Sequence, residues 1–261
     1  MSKIVVIGGT GLIGSKLVAT LSAHGHEAVP ASPATGVDTL TGEGLAAVLD
    51  GAEVVVDVSN SPSFDDQAVL DFFTTSTTNL IAAAKAAGVG HYVALSVVGT
   101  ERLPESGYFR AKVAQERLIS GSGIPFSLVH ATQFFEFVKS IADAATHDGV
   151  VRLSPARVQP IAAHDVAAAL ARVTVSAPLE GTHEVAGPQT FGLDEFVRTG
   201  LRLRGDDRPV VTDPAARYFG EVLGEQTLLP AADAEIAHTS YTDWFPSNNP
   251  TAAAASRPAA S

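Results

Sequence analysis

Along the first half of the chain, apolar runs of strand length alternate with longer segments of helical period. Ile4–Ile7 is followed by Leu12–Leu21, Glu27–Ala31 by Gly44–Leu49, and Glu53–Val58 by a long helical pattern from Asp65 to Ala87. A strand at His91–Ser96, a helix at Phe109–Ser120 and a strand at Phe126–His130 continue the alternation. The strands are rich in Val and Ile and lack the polar alternation of a sheet with one wet face. They predict a parallel sheet covered by helices on both sides, a doubly wound α/β fold.

Beyond Ala131 the regularity weakens. A Phe-rich segment leads to a short apolar piece at Val150–Leu153, a helix starting at about Asp165 with that residue as its N-cap, and a strand-like Thr182–Ala186. Helices are expected at Leu193–Leu203 and Ala215–Leu223. The expected organisation is a core over 1–131 and a smaller C-terminal substrate-facing region over 132–249, interleaved with the core and resting on the sheet edge. A disordered tail is expected over 250–261, where Ala, Ser and Pro offer no core face.

Composition narrows the partners. The chain has 261 residues, 46% of them hydrophobic, enough to bury a sizeable core, and a formal net charge of -11. That charge disfavours nucleic acid, so a small-molecule substrate is the expected partner. No apolar stretch reaches membrane-spanning length, and Met1–Gly14 lacks the pattern of a secretory signal, so no membrane partner and a cytoplasmic location are expected. With no cysteine, thiol chemistry is excluded. Among eight histidines only His24 and His26 lie close together, so no metal site is expected, and without G-x-S-x-G there is no hydrolase elbow.

The chemistry begins at Gly8-Gly9-Thr10-Gly11-Leu12-Ile13-Gly14, directly between the first strand and the first helix. Gly8, Gly11 and Gly14 form the G-x-x-G-x-x-G turn of a Rossmann dinucleotide site: free backbone angles, close approach of pyrophosphate, and tight helix-on-strand packing. Thr10, Leu12 and Ile13 belong to the same phosphate-facing turn and helix N-terminus. At the end of the second strand an acid would accept from the adenosine ribose of NAD. The chain instead reads Val29-Pro30-Ala31-Ser32-Pro33, with Ser32 able to donate to a 2′-phosphate. NADP is therefore the expected cofactor and NAD remains open, since no Arg lies on this loop. Ser59 and Asn60, after the third strand, should border the cofactor at the carboxyl ends of the strands.

Ser96 ends the fourth strand, and Tyr108 and Lys112 lie four residues apart on the next helix. An ammonium near a phenol favours the phenolate and makes proton exchange with a substrate oxygen feasible. The competing view of Tyr108 is a half-buried packing residue. Phe134 and Phe137, three apart, either form an apolar pocket face or belong to the core, and Tyr218 is a candidate to close the pocket.

Together GGTGLIG, Asn79-Leu80 with Ala87-Gly88-Val89, Leu95-Ser96, YFRAK, Ser122–Phe126, and Pro160-Ile161 with Asp165-Val166-Ala167 resemble the atypical short-chain dehydrogenase/reductases of the NmrA-like NAD(P)-binding group, over about residues 1 to 175. The resemblance implies that Ser96 orients a carbonyl, Tyr108 transfers the proton, and Lys112 binds the nicotinamide ribose and tunes Tyr108. It also puts Thr132 and Gln133 beside the nicotinamide. Where related chains often carry Arg, this one has His130. Two functions remain compatible with these residues: an NAD(P)-dependent oxidoreductase reducing a carbonyl, quinone or conjugated carbonyl, and a non-catalytic dinucleotide-sensing regulator.

Overall fold

Val54-Val55-Val56 and Ile4–Ile7 are almost completely buried, which is possible for consecutive strand residues only when both faces of the sheet are covered. The computed structural model, which describes residues 1–248, shows how that covering is built. The chain divides into two units, the first made of residues 1–131 and 163–185, the second of residues 132–162 and the chain from Ala186 onward.

In the first unit β1 (Lys3–Ile7), α1 (Leu12–Ala23), β2 (Glu27–Ala31), α2 (Leu45–Leu49), β3 (Val54–Asp57), α3 (Asp66–Ala87), β4 (His91–Val97), α4 (Gly107–Ser120) and β5 (Phe126–Ala131) follow one another. All neighbouring strands are parallel: β2 beside β1, β1 beside β3, β3 beside β4, β4 beside β5, and β5 beside the strand Gly181–Ala186. The strand order reverses between β1 and β3, and a crevice at such a reversal, outside the carboxyl ends, is where ligands bind in this architecture. On one side Val5, Ile7, Val55, Tyr92, Ala94 and Leu128 of the sheet pack with Leu45 and Leu49 of α2, Leu80 and Ala84 of α3, and Ile119 of α4. Each fully buried aliphatic contributes about 1.5–3 kcal/mol.

The helix Ala163–Thr174 and the strand Gly181–Ala186, which the sequence pattern leaves with the smaller region, lie with the first unit up to Val185. The helix buries Val166, Leu170 and Val173, at intervals of four and three, and its alanines let it lie close against α1. Asp165 is inside the first turn rather than at the expected N-cap, where its charge still faces the positive end of the helix.

The second unit packs Phe135, Phe196, Tyr241 and Trp244 together, with the Phe135 and Tyr241 ring centroids 4.9 Å apart. Leu193–Leu203 is helical as its period predicts. Ala215–Leu223 is not. It forms a hairpin, Arg217–Tyr218 against Glu221–Val222, because Phe219 (φ 48°) and Gly220 (φ 88°) take the left-handed pair that a tight turn requires. The tail expected over 250–261 lies outside the described residues.

Candidate functional site

The glycine turn sits at the carboxyl end of β1, tied down by the Gly8 N–H to Ala31 O (2.8 Å) and the Gly11 N–H to Gly8 O (2.9 Å). Gly8 has φ 78°, and a Cβ there would lie 2.9 Å from Ser59 N. A Cβ on Gly14 would lie 2.2 Å from Gly8 O, and one on Gly9 would lie 2.6 Å from Pro30 Cα. These three glycines are demanded by the protein's own backbone. Gly9 stands outside the three-glycine pattern and owes its place to Pro30. Gly11 differs: a Cβ on it would meet only Gly8 O, at 3.3 Å. Its Cα face is open, and α1 begins there with no side-chain cap and no acid in its first turn, leaving the positive end of the helix to an anion. Thr10, Gly11 and Leu12 are exposed and Ile13 is buried, so Ile13 has only its backbone to present to a ligand. An uncapped terminus beside an open glycine fits a pyrophosphate.

Ser32, at the end of β2, accepts from Thr10 Oγ1 at 3.0 Å, which joins the second strand to the glycine turn. Its backbone is fixed by a reciprocal bond with Thr35, and its own hydroxyl proton is not used in the Thr10 contact. Asp57, which ends β3, is a buried hub that the sequence did not reveal. Its carboxylate accepts from Ser59 N (3.0 Å) and Ser59 Oγ (2.6 Å), from Tyr92 OH (3.3 Å) and from Gln115 Nε2 (3.0 Å). Ser59 is therefore held toward Asp57, and Asn60 accepts from Tyr108 OH at 3.4 Å.

Ser96, Tyr108 and Lys112 each engage a different partner. Tyr108 lies in the first turn of α4, its ring 5.5 Å from those of Phe64 and Phe109, and burial pushes its phenol up to about 12. The ammonium effect expected from Lys112 is not what governs it. Lys112 turns inward, donating to Leu95 O (2.9 Å) and to Gln115 Oε1, with its Nζ 4.6 Å from the Phe73 ring centroid. Burial lowers its ammonium to about 8, although Asp57 and Glu116 pull the other way. Ser96 donates to Glu116, and Glu116 Oε1 lies 3.0 Å from His130 Nε2. Glu116 follows Lys112 by four, so the period of Tyr108 and Lys112, extended once more, was the signal that could have found it. Ser96 and His130 both sit on the Glu116 carboxylate, so this is not the serine–base–acid order of a hydrolase.

Gly107, just before Tyr108, is pressed against α3: a Cβ on it would fall 2.0 Å from Asp66 Oδ1 and 2.8 Å from Asp66 Cβ. Asp66 also pairs with Arg110 at 2.8 Å across the same helices.

Because an unfolded lysine titrates near 10.4, Lys112 binds fewer protons folded than unfolded from about pH 8 upward. Its site should therefore add stability as pH rises from 8 toward 10. Urea unfolding of Lys112→Met against the parent chain over that range should show the stability difference moving in the parent's favour; a constant difference would place Lys112 outside the network described.

The remaining candidates belong to the second unit. Thr132 Oγ1 donates to Gln159 O at 2.6 Å. Gln133 is 6% exposed, and neither atom of its side-chain amide has a hydrogen-bond partner. Phe134 and Phe137 are neither of them core: their rings stack at 5.2 Å, half-buried and exposed respectively, while Phe135 between them fills the core. Tyr218 is buried in the hairpin, edge-on to Phe219 at 4.8 Å. Among the described residues no group of acidic or histidine side chains is arranged to hold a metal, and no helix is long and apolar enough to cross a membrane.

A protein-family profile described as NAD(P)H-binding matches residues 8–176. The (4-alkanoyl-5-oxo-2,5-dihydrofuran-3-yl)methyl phosphate reductase of Streptomyces griseus subsp. griseus is 30% identical over 219 residues, 77% of this chain and 74% of that protein. The photosystem II assembly factor Ycf39 of Synechocystis is 21% identical over 232 residues, 82% of this chain and 71% of that one. Among solved structures, the NADPH-dependent quinone oxidoreductase of Escherichia coli complexed with NADPH shares the fold, with a TM-score of 0.64, 22% identity, and coverage of 80% of this chain and 77% of the other.

Proposed function

The chain belongs to the NAD(P)H-binding family, and from that premise we propose that it is an atypical short-chain dehydrogenase/reductase, an NADPH-dependent reductase of a carbonyl, quinone or conjugated carbonyl small molecule. The family match and its reductase relatives support NAD(P)-dependent oxidoreductase chemistry. One observation carries the finer reading: a phenol, Tyr108, sits at the start of α4 with its hydroxyl on Asn60, in the same unit as the open Gly11 turn. When bound, the nicotinamide supplies the hydride.

The chain's own residues do the rest. Backbone N–H groups of Leu12 and Ile13, at the uncapped start of α1, would hold the pyrophosphate, with the open face of Gly11 letting it approach. Ser32 donates to the 2′-phosphate, and NADP is preferred over NAD because β2 ends without an acid. Burial keeps Tyr108 protonated at neutral pH, which suits a proton donor in the reductive direction. Gln133 has an amide with donor and acceptor both to offer a ligand, and Phe134 with Phe137 offers a flat apolar surface. The partner is a small molecule, without nucleic acid or membrane.

A second reading, a dinucleotide sensor without turnover, is favoured by the inward engagement of Lys112 and by Ser96 being held by Glu116. Following NADPH absorbance with a panel of quinones, enones and aldehydes separates the two. Oxidation of NADPH with at least one class is expected, and tight NADPH binding with no turnover across the panel would put the sensor in its place.

A further inference from the structure

Ser96 carries one hydroxyl proton and two lone pairs. In this fold the proton is already committed, since Ser96 Oγ donates to Glu116 Oε1. The same oxygen lies 3.0 Å from His130 Nε2. The three groups are brought together by the fold: Ser96 and His130 are register partners on β4 and β5, and Glu116 projects from α4. Burial alone would favour a protonated Glu116, but the His130 contact, the Ser96 hydroxyl and the Lys112 charge outweigh it and hold the carboxyl below its ordinary value. An ionised carboxylate only accepts, so the direction of the Ser96 bond is set.

We propose that Glu116 and His130 are positioning residues that leave Ser96 with lone pairs alone to present, so that the ligand group meeting Ser96 is a hydrogen-bond donor, an O–H or N–H, and not a carbonyl oxygen. This rests on Ser96 belonging to the NAD(P) site, and it reverses the donor role implied by the family resemblance. Ser96 is 3% exposed, so whichever group it meets loses its water and must match it. The donor has two chemical sources, the carboxamide N–H of the nicotinamide and the hydroxyl of an alcohol.

Calorimetry on the full chain distinguishes them. One arm compares NADP with its 3-acetylpyridine analogue, in which a methyl ketone replaces the carboxamide. The other compares benzyl alcohol on the NADPH-loaded protein with benzaldehyde on the NADP-loaded protein, pairs in which no hydride transfer occurs. Ser96→Ala should erase a preference of about tenfold for the donor-bearing member in one arm and leave the other arm unchanged. Glu116→Leu, by releasing the Ser96 proton, should shift the preference in that same arm toward the carbonyl-bearing member; a packing role would weaken both members alike. If Glu116→Leu does not fold, Ser96→Ala decides alone. Selective loss of the carbonyl-bearing member in Ser96→Ala, or no change of preference in either arm, overturns the proposal. The carboxamide arm requires no turnover, so it remains readable if the reductase function fails.

Discussion

Gly11→Val should bind neither NADPH nor NADH in a fluorescence titration, while unfolding at close to the temperature of the parent chain. The two halves of this expectation come from different atoms. A Cβ on Gly11 meets only Gly8 O, at 3.3 Å, so the protein can accommodate it with a shift of a few tenths of an ångström. The added isopropyl group, however, occupies the space over the uncapped N-terminus of α1, where a phosphate must come within hydrogen-bond distance of the backbone. Gly14→Ala provides the contrast: its Cβ would lie 2.2 Å from Gly8 O, a backbone atom that cannot rotate away, so it should lower stability as well as affinity. Undiminished NADPH affinity in Gly11→Val would move the pyrophosphate away from this turn.

Tyr108→Phe should reduce turnover of a carbonyl substrate by a factor on the order of 10² or more and leave NADPH affinity nearly unchanged. The substitution deletes one hydroxyl and its 3.4 Å bond to Asn60 while preserving the ring contacts with Phe64, Phe73 and Phe109. Structure and stability should thus be held almost constant. Because burial pushes the phenol up to about 12, any turnover by the parent chain that uses this proton should hold through neutral and mildly alkaline pH. Full activity in Tyr108→Phe would make the residue a packing aromatic and shift proton delivery to another group.

The glycine turn was legible in the sequence because its logic is local: a strand, a turn and a helix within fifteen residues fix what Gly8, Gly11 and Gly14 must do. The sheet was legible for a similar reason, since runs such as Val54-Val55-Val56 have only one kind of environment that suits them. Asp57 was not legible, because its partners Tyr92 and Gln115 lie 35 and 58 residues away and only the pairing of β3 with β4 and the packing of α4 bring them together. A lone acid ending an otherwise apolar buried strand was the available signal. Spacing puts Lys112 on α4, but its direction depends on Leu95 O and on the Phe73 ring, neither of which spacing reveals. At Ala215–Leu223 apolar residues at mixed intervals suit a helix or a hairpin, and the left-handed Phe219 and Gly220 decide for the hairpin.

Gly107 acts as a gauge on the whole of α4. Rotating Asp66 away would clear its carboxylate but not its Cβ, which would still stand 2.8 Å from a side chain at 107. Any larger residue must therefore lift α4 from α3 near its start, and Tyr108, Lys112 and Glu116 ride on that helix at intervals of one turn. A lift of even 1 Å would loosen the reach to Asn60, Leu95 and Ser96 together, and displacement on that scale is enough to cost about 10²-fold in rate. The tolerance of three functional groups is thus set by the absence of one methyl group in a residue that touches none of their partners.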